Sequence, residues 1–282
     1  MSAEIDSIVG AVKSIQVSKQ CFKTEQEYNH TSRSQLDPLV FQVLQSKYME
    51  TFRSYWNETV IPFTSDRAIV IVERRCHPNL EFCIKNAVYF ARGFSLYIFC
   101  SHANREFVET ICGSQKESVH IIPVFDTIGT PEEGKDVYNQ LLCDKQFWES
   151  IEADICLTIE TDCYLRAPLP DSMFSYDYVA SKYPWMRDSP GGGGLSLRKR
   201  SMMLSICERI PCTPNTMQDT YVSEAVVKFG YTYPSWDESE PYFSECCQKL
   251  QACGVHQWWT FLNSLDTSIL QTIVSAYTTL FV

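Results

Sequence analysis

Apolar positions along this chain change texture near residue 66. Before it they recur at helical spacing: Ile5, Ile8, Val9, Val12 and Ile15 form one stripe, and Val40, Phe41, Leu44, Tyr48, Phe52 and Tyr55 form another. The pair Asp37-Pro38 reads as an N-cap followed by proline at the first helical position, so the second helix is predicted to begin there. From residue 68 short, near-continuous β-branched and aromatic runs take over: Ala68–Val72, Leu96–Cys100, Val119–Val124 and Ile155–Ile159. Runs of this kind are what strands covered on both faces require. Helical stretches separate them, at Leu80–Arg92 closed by Gly93, Ala103–Cys112 closed by Gly113, and Lys135–Ile151. The alternation predicts an α/β fold with a mostly parallel central sheet flanked by helices and an N-terminal helical segment. The predicted organisation is a helical preface over 1–66, an α/β domain over 67–262 and an apolar segment over 263–282.

Composition narrows the partners. With 34 acidic against 24 basic residues in 282, the net charge is −10. Affinity for nucleic acid or anionic lipid comes from Lys and Arg, so neither is an expected partner. The 13 cysteines are an odd number, scattered without the dense spacing of a disulfide scaffold. Together with acidic Glu4 and Asp6 ahead of the first apolar residues, where a signal peptide carries positive charge, they predict a cytoplasmic protein. The sequons at Asn29 and Asn57 then carry no meaning. The apolar stretch Ser268–Val282 is too short and too interrupted for a membrane span, and is expected to pack on the domain or at a homodimer contact.

In a parallel sheet, ligands bind beyond the carboxyl ends of the strands. The residues there are Glu73, Arg74 and Arg75 after the first strand, Ser101 after the second, and Glu160-Thr161-Asp162-Cys163 after the fourth. In an extended segment Glu160 and Asp162 share a side, and two carboxylates at one point suit a hard divalent cation bridging phosphate oxygens; the plainer alternative is a turn cap. No P-loop and no G-x-G-x-x-G is present, which disfavours a P-loop nucleotidase or a dinucleotide fold. Gly191–Gly194 permit close approach of backbone to a ligand, or form a flexible loop. Trp185 offers a stacking face for a sugar, or a core side chain. Asp219, in the first turn of a helix running from Gln218 to Phe229, suits a general base and equally the helix dipole. His256 supplements carboxylates as a metal ligand, or is structural. A zinc set of Cys246, Cys247, Cys253 and His256 lacks the paired C-x-x-C spacing.

Taken in order, AIVIVERR, YNQLLCDKQFWESI, TIETDCYL, YDYVASKYPW, GGGGLSLRKRSMM, QDTYVSEAV and GVHQWW resemble a family of GT-A-like glycosyltransferases found in large DNA viruses and some microbes, over about residues 66–260. The resemblance implies a UDP-sugar donor, a glycan or glycoprotein acceptor and a divalent metal, Mn²⁺ or Mg²⁺. It places Asp162 and His256 on the metal and Asp162 also on the diphosphate, with Glu73, Arg75 and Ser101 near the nucleoside. Gly193 and Gly194 would lie against the donor, Trp185 on the acceptor side, and Asp219 would be the base of an inverting transfer. It further implies UDP-xylose as donor, fucose on a viral capsid-protein N-glycan as acceptor, and host cytoplasm as the setting. The sequence departs from the family in lacking a full D-x-D, since Glu160 holds the first acidic place. Two rival classes remain: a non-catalytic nucleotide-sugar or carbohydrate-binding module, and a phosphate-ester hydrolase.

Overall fold

The computed structural model describes residues 3–21, 23–213, 215–245, 249–262 and 265–282. Its centre is a six-stranded sheet in the order β3-β2-β1-β4-β7-β6, comprising β1 (Arg67–Val72), β2 (Ser95–Ser101), β3 (His120–Phe125), β4 (Ile155–Ile159), β6 (Tyr178–Ser181) and β7 (Gly192–Lys199). Strands β3, β2, β1 and β4 run parallel, while β7 lies antiparallel to both β4 and β6. Helices α3 (Leu80–Phe90) and α4 (Arg105–Cys112) connect the first strands; α5 (Pro131–Leu142), α6 (Lys145–Glu149), α7 (Arg200–Arg209) and α8 (Gln218–Phe229) complete the flanks. A small second sheet joins β5 (Cys163–Leu165), β9 (Gly254–His256) and β8 (Phe243–Ser244) in that order. The predicted α/β architecture, with its mostly parallel sheet and N-terminal helices, is therefore the observed one.

Local chemistry explains where boundaries depart from expectation. The predicted Lys135–Ile151 helix is broken: α5 starts earlier, on a capping box between Thr130 and Glu133, and stops at Leu142. Asp144 then caps the short α6 by accepting from the Gln146 amide. A larger correction concerns Asp37-Pro38. These residues lie inside α2 (Glu25–Glu58), whose N-cap is Thr24, with its side chain accepting from the Glu27 amide. Pro38 gives up one helical hydrogen bond, but a 34-residue helix packed along the core tolerates that loss. The Asp37 side chain is thus free to point toward the sheet.

One hydrophobic cluster contains Ile5, Ile8 and Val12 of α1 (Ala3–Ser18), Phe41 and Phe52 of α2, Ile69 and Leu157 of the sheet, and Leu270, Val274 and Tyr277 of α9 (Thr267–Tyr277). The C-terminal segment packs inside the chain: Tyr277 Oη and Ser244 Oγ lie 2.8 Å apart, and Arg166 donates to the Ala276 carbonyl. No described helix is long and apolar enough to cross a membrane. The described cysteines are free thiols, most of them buried.

Helices α2 and α3 are also joined by charge. Arg53 donates two hydrogen bonds to Glu81, at 2.8 and 2.7 Å, and Lys85 adds a third at 2.6 Å. The Arg53 contact, with help from Lys85, lowers the Glu81 pKa to about 2. A depressed carboxyl contributes stability above its unfolded pKa and loses it as pH falls toward the folded value. Because the Arg53 side chain is 56% exposed, screening reduces the contribution to about 1 kcal/mol. Glu81→Gln is therefore expected to lower denaturant stability by about 1 kcal/mol at pH 7, with the difference from the parent closing between about pH 4.5 and pH 2. An unchanged midpoint at pH 7 would show the pair to be fully screened.

Candidate functional site

At the carboxyl ends of β1 and β4 the chain encloses a cavity of about 390 Å³. Its walls include Glu73, Arg75, Glu160, Asp162, Gly193, Gly194, Asp219 and His256, which brings most of the sequence candidates together. A second cavity, of about 360 Å³, opens at the amino ends of β1 and β2 around Arg67, Phe90, Phe94 and Phe174, with Asp171 as the acidic side chain among its described lining residues. The chemistry converges in the first.

Topology accounts for the convergence. Strand β4 ends at Ile159, and Glu160–Asp162 form a tight turn in which the Cys163 amide donates to the Glu160 carbonyl. The two carboxylates are therefore joined by a turn rather than by the extended spacing predicted, and each approaches His256. Strand β5 follows at once and pairs antiparallel with β9, setting Cys163 opposite His256. That pairing holds His256 Nε2 3.4 Å from Asp162 Oδ1 and 4.0 Å from Glu160 Oε2. On its other side His256 Nδ1 lies 3.2 Å from Glu245 Oε2, and neither atom has a hydrogen-bond partner among the described residues. Gln257 adopts a left-handed backbone, φ +41°, and its side-chain amide lies 2.5 Å from His256 Nε2. Such strain in a non-glycine residue persists where surrounding structure enforces it, and here it stands beside the imidazole.

The glycines serve this packing. Gly194 lies in β7 beside the turn, its carbonyl accepting from the Glu160 amide and the Cys163 thiol. A Cβ on Gly194 would come within 2.3 Å of the His256 ring, and one on Gly193 within 2.6 Å of both Arg198 and Gln218. Gly191, at φ +109°, occupies a backbone conformation that L side chains rarely adopt, and a Cβ there would meet the Ser181 carbonyl at 2.3 Å. Rather than a flexible loop, Gly192–Lys199 is a buried strand.

Electrostatically the site is a dense set of opposed charges. Burial favours a neutral Asp162, but His256 and Arg33 outweigh it and hold the carboxyl below the usual range. Burial would likewise neutralise His256, yet Glu245 and Asp162 raise its pKa well above the ordinary histidine value. Glu160 moves upward, through burial and then the charge of Asp162, and accepts a 2.7 Å hydrogen bond from Tyr138 Oη. Glu73 receives a two-pronged bond from Arg75, at 2.8 and 2.7 Å, and another from Thr161 Oγ1 at 3.2 Å. The Gln218 backbone amide donates to Asn139 Oδ1, while Gln218 Oε1 accepts from the buried Arg198. These bonds fix the first turn of α8 and set Asp219 on the cavity.

Two candidates fall elsewhere. Ser101 is 0% exposed and does not line the cavity; its hydroxyl donates to the Arg74 carbonyl and to Asn104 Oδ1, stabilising the loop after β1 from behind. Trp185 is 61% exposed and outside the lining residues, but stacks at 5.3 Å on Tyr183, which is one of them. Of the alternative zinc set, Cys246 and Cys247 lie outside the described residues. Sequence reading missed Tyr138, Gln218 and Glu245, and above all Arg33 and Asp37, which α2 carries into the site. Arg33 forms a salt bridge with Asp162. Asp37 accepts from Asn79 Nδ2 at 3.1 Å, and its buried Oδ1 has no hydrogen-bond partner among the described residues. The i, i+4 spacing of Arg33 and Asp37 was visible, but which surface that helix face meets is settled only by packing.

Burial and then the nearby Asp162 charge push the Asp37 pKa up to about 6. A carboxyl raised on folding favours the native state at low pH, and that stability is lost as pH rises through the folded value. Its charged form therefore costs stability above about pH 6, to an upper bound of about 3 kcal/mol. Asp37→Asn is expected to raise stability by about 1–2 kcal/mol at pH 7–8, the gain vanishing below about pH 4. Chemical denaturation at three pH values measures it, and an equal gain at every pH would overturn the electrostatic cause.

The ligand atoms of Asp162, Cys163 and His256 lie within 4.8 Å of one another. Burial holds the Cys163 thiol protonated, and the thiol already donates to the Gly194 carbonyl, so it is a poor ligand. Asp162 Oδ1 and His256 Nε2 form an oxygen-and-imidazole pair, with Glu160 Oε2 4.0 Å from the same imidazole, a donor chemistry that suits Mn²⁺ or Mg²⁺.

A family described as a protein of unknown function (DUF5672) matches residues 129–252. No curated protein matches the chain. Among solved structures, a cytidylyltransferase from Leptospira borgpetersenii serovar Hardjo-bovis (strain JB197) is similar over 58% of this chain and 74% of its own, at 14% identity and a TM-score of 0.40. The apo-form glycosyltransferase GlyE of Streptococcus pneumoniae TIGR4 is similar over 74% of this chain and 62% of its own, at 11% identity and a TM-score of 0.45.

Proposed function

We propose that the protein is a GT-A-like glycosyltransferase that moves a sugar, xylose in our reading, from a UDP-sugar to a glycan hydroxyl with inversion. The observation that carries the proposal is one cavity lined by two kinds of chemistry. Its lining includes Asp162, His256 and Glu160 with Arg33, Arg74 and Arg75, and it also includes Asp219. The first set suits a diphosphate with its counter-cation; Asp219 offers a carboxylate for an attacking hydroxyl. A volume of about 390 Å³ is within the range of small-ligand sites.

In this reading Asp162 and His256 would hold a divalent metal, which when bound would supply positive charge to offset that of the departing diphosphate. Arg75, oriented by Glu73, faces the nucleotide side, and the Gly193–Gly194 backbone lies along the donor. Asp219 accepts the proton of the acceptor hydroxyl as its oxygen bonds to the anomeric carbon. The bond from that carbon to the diphosphate oxygen breaks, and its electron pair leaves with UDP. The Tyr183–Trp185 stack at the rim gives the acceptor sugar an aromatic face.

Calorimetry with UDP and Mn²⁺, a screen for UDP release across UDP-sugars, and the mass of the acceptor product test the proposal. The expected result is metal-supported UDP binding, with release fastest from UDP-xylose. Binding with no release from any donor would make the protein a non-catalytic module. Release of inorganic phosphate instead of UDP would make it a hydrolase.

A further inference from the structure

Arg33 reaches the site from a part of the chain that the site's own motifs do not include. It projects from α2, and its Nη2 donates to Asp162 Oδ2, while Asp162 Oδ1 faces His256 at 3.4 Å. Asp162 is thus already paired with a guanidinium on one oxygen, with the His256 imidazole facing the other. Glu160 and Asp37 add their charges to the field that holds Arg33 there. The pair is asymmetric: the Arg33 side chain is 47% exposed on the cavity wall, whereas that of Asp162 is 8% exposed. The guanidinium can therefore leave toward solvent, while the carboxylate it leaves stays buried and needs another cation.

We propose that Arg33 is an exchangeable counter-cation: it neutralises Asp162 until a divalent cation takes the carboxylate, and the released guanidinium then binds an oxygen of the donor's diphosphate. The inference rests on the nucleotide-sugar reading for its second half alone. A divalent cation joining Asp162 while Arg33 remained would meet a positive charge at close range. Departure of Arg33 removes it. A guanidinium is suited to the diphosphate that arrives, since its planar fork matches paired phosphate oxygens. Its place on a long helix packed into the core keeps it within reach of both positions.

The test measures Mn²⁺ binding to the full chain without nucleotide, by calorimetry and by the spin resonance of free Mn²⁺. Arg33→Met keeps the aliphatic stem, and a thermal melt confirms its folding. The expected result is Mn²⁺ bound at least tenfold more tightly than by the parent, about 1.4 kcal/mol. Arg33→Lys should fall between the two, and Asp162→Asn should abolish the tight site. At saturating Mn²⁺, Arg33→Met should bind UDP at least tenfold more weakly. Unchanged Mn²⁺ affinity in Arg33→Met, or no Mn²⁺ binding to either protein, would overturn the exchange. So would UDP binding that ignores Mn²⁺ in the parent and disappears in Arg33→Met, because Arg33 would then be a permanent substitute for the metal. Failure of the parent to bind UDP at all would instead overturn the nucleotide-sugar reading, and the Mn²⁺ measurements would still decide the exchange.

Discussion

Asp219→Asn is expected to lower the turnover of sugar transfer by roughly 10²–10⁴-fold while leaving the fold intact. The substitution preserves shape and removes only the capacity to take a proton. Asp219 sits in the first turn of α8, and its Oδ1 accepts from the Thr220 amide at 2.8 Å, a bond an asparagine oxygen can also accept. The structural cost is thus confined to the favourable meeting of a carboxylate with the helix dipole, about 0.3–1 kcal/mol. Because the proposed function puts Asp219 at the acceptor hydroxyl, the loss should appear in turnover with little change in UDP affinity. Near-normal transfer by the folded variant would remove Asp219 from the role of base. A parallel loss of UDP binding would place it on the donor instead.

Gly194→Ala carries the second large effect, and there stability and site chemistry fail together. The new methyl would fall 2.3 Å from His256 Cε1 and 2.5 Å from Nε2. The ring has little freedom to retreat, with Asp162 on one side, Glu245 on the other and the β5–β9 pairing holding its backbone. Overpacking a buried position costs about 1–3 kcal/mol, and any shift of the imidazole opens the proposed metal set. The expected result is a lower thermal midpoint together with at least a tenfold weaker Mn²⁺ site, beyond the ~1.4 kcal/mol that a tenfold change represents. Gly192→Ala is the control. Its methyl would meet the hydroxyl end of half-buried Tyr183, at the rim, so the Mn²⁺ site should survive. Equal damage from both substitutions would mean that the strand, not the imidazole, sets the cost.

The sheet was legible because parallel strands buried on both faces need continuous apolar runs. Ile155–Ile159 was predicted to the residue, and the other parallel strands to within one residue at either end. Helix α8 was equally legible, opening at Gln218 and closing before Gly230. Failures arose where a local signal competed with packing. Asp37-Pro38 carries a genuine helix-start pattern, yet α2 runs through it because its apolar face continues on both sides of the proline. Four consecutive glycines suggest a loop, but their small size lets a strand pass close to His256, Gln218 and Arg198. Within the site, strand-end carboxylates could be found from a rule about sheets. Glu245 could not, since it is positioned through a three-stranded sheet whose pairing joins segments far apart in sequence.

The Arg33–Asp162 bridge also bears on how the molecule is made. It spans 129 positions of the chain, and Asp162 meets His256 from the opposite sequence direction. Contacts of such separation pay their loop-closure entropy late and slow the search for the native state. The corner where Asp162 meets Arg33 and His256 should therefore be among the last regions to mature on refolding, after the β1–β4 ladder has formed. Mn²⁺ uptake followed in time would then report completion of folding, lagging behind the recovery of helical signal rather than accompanying it.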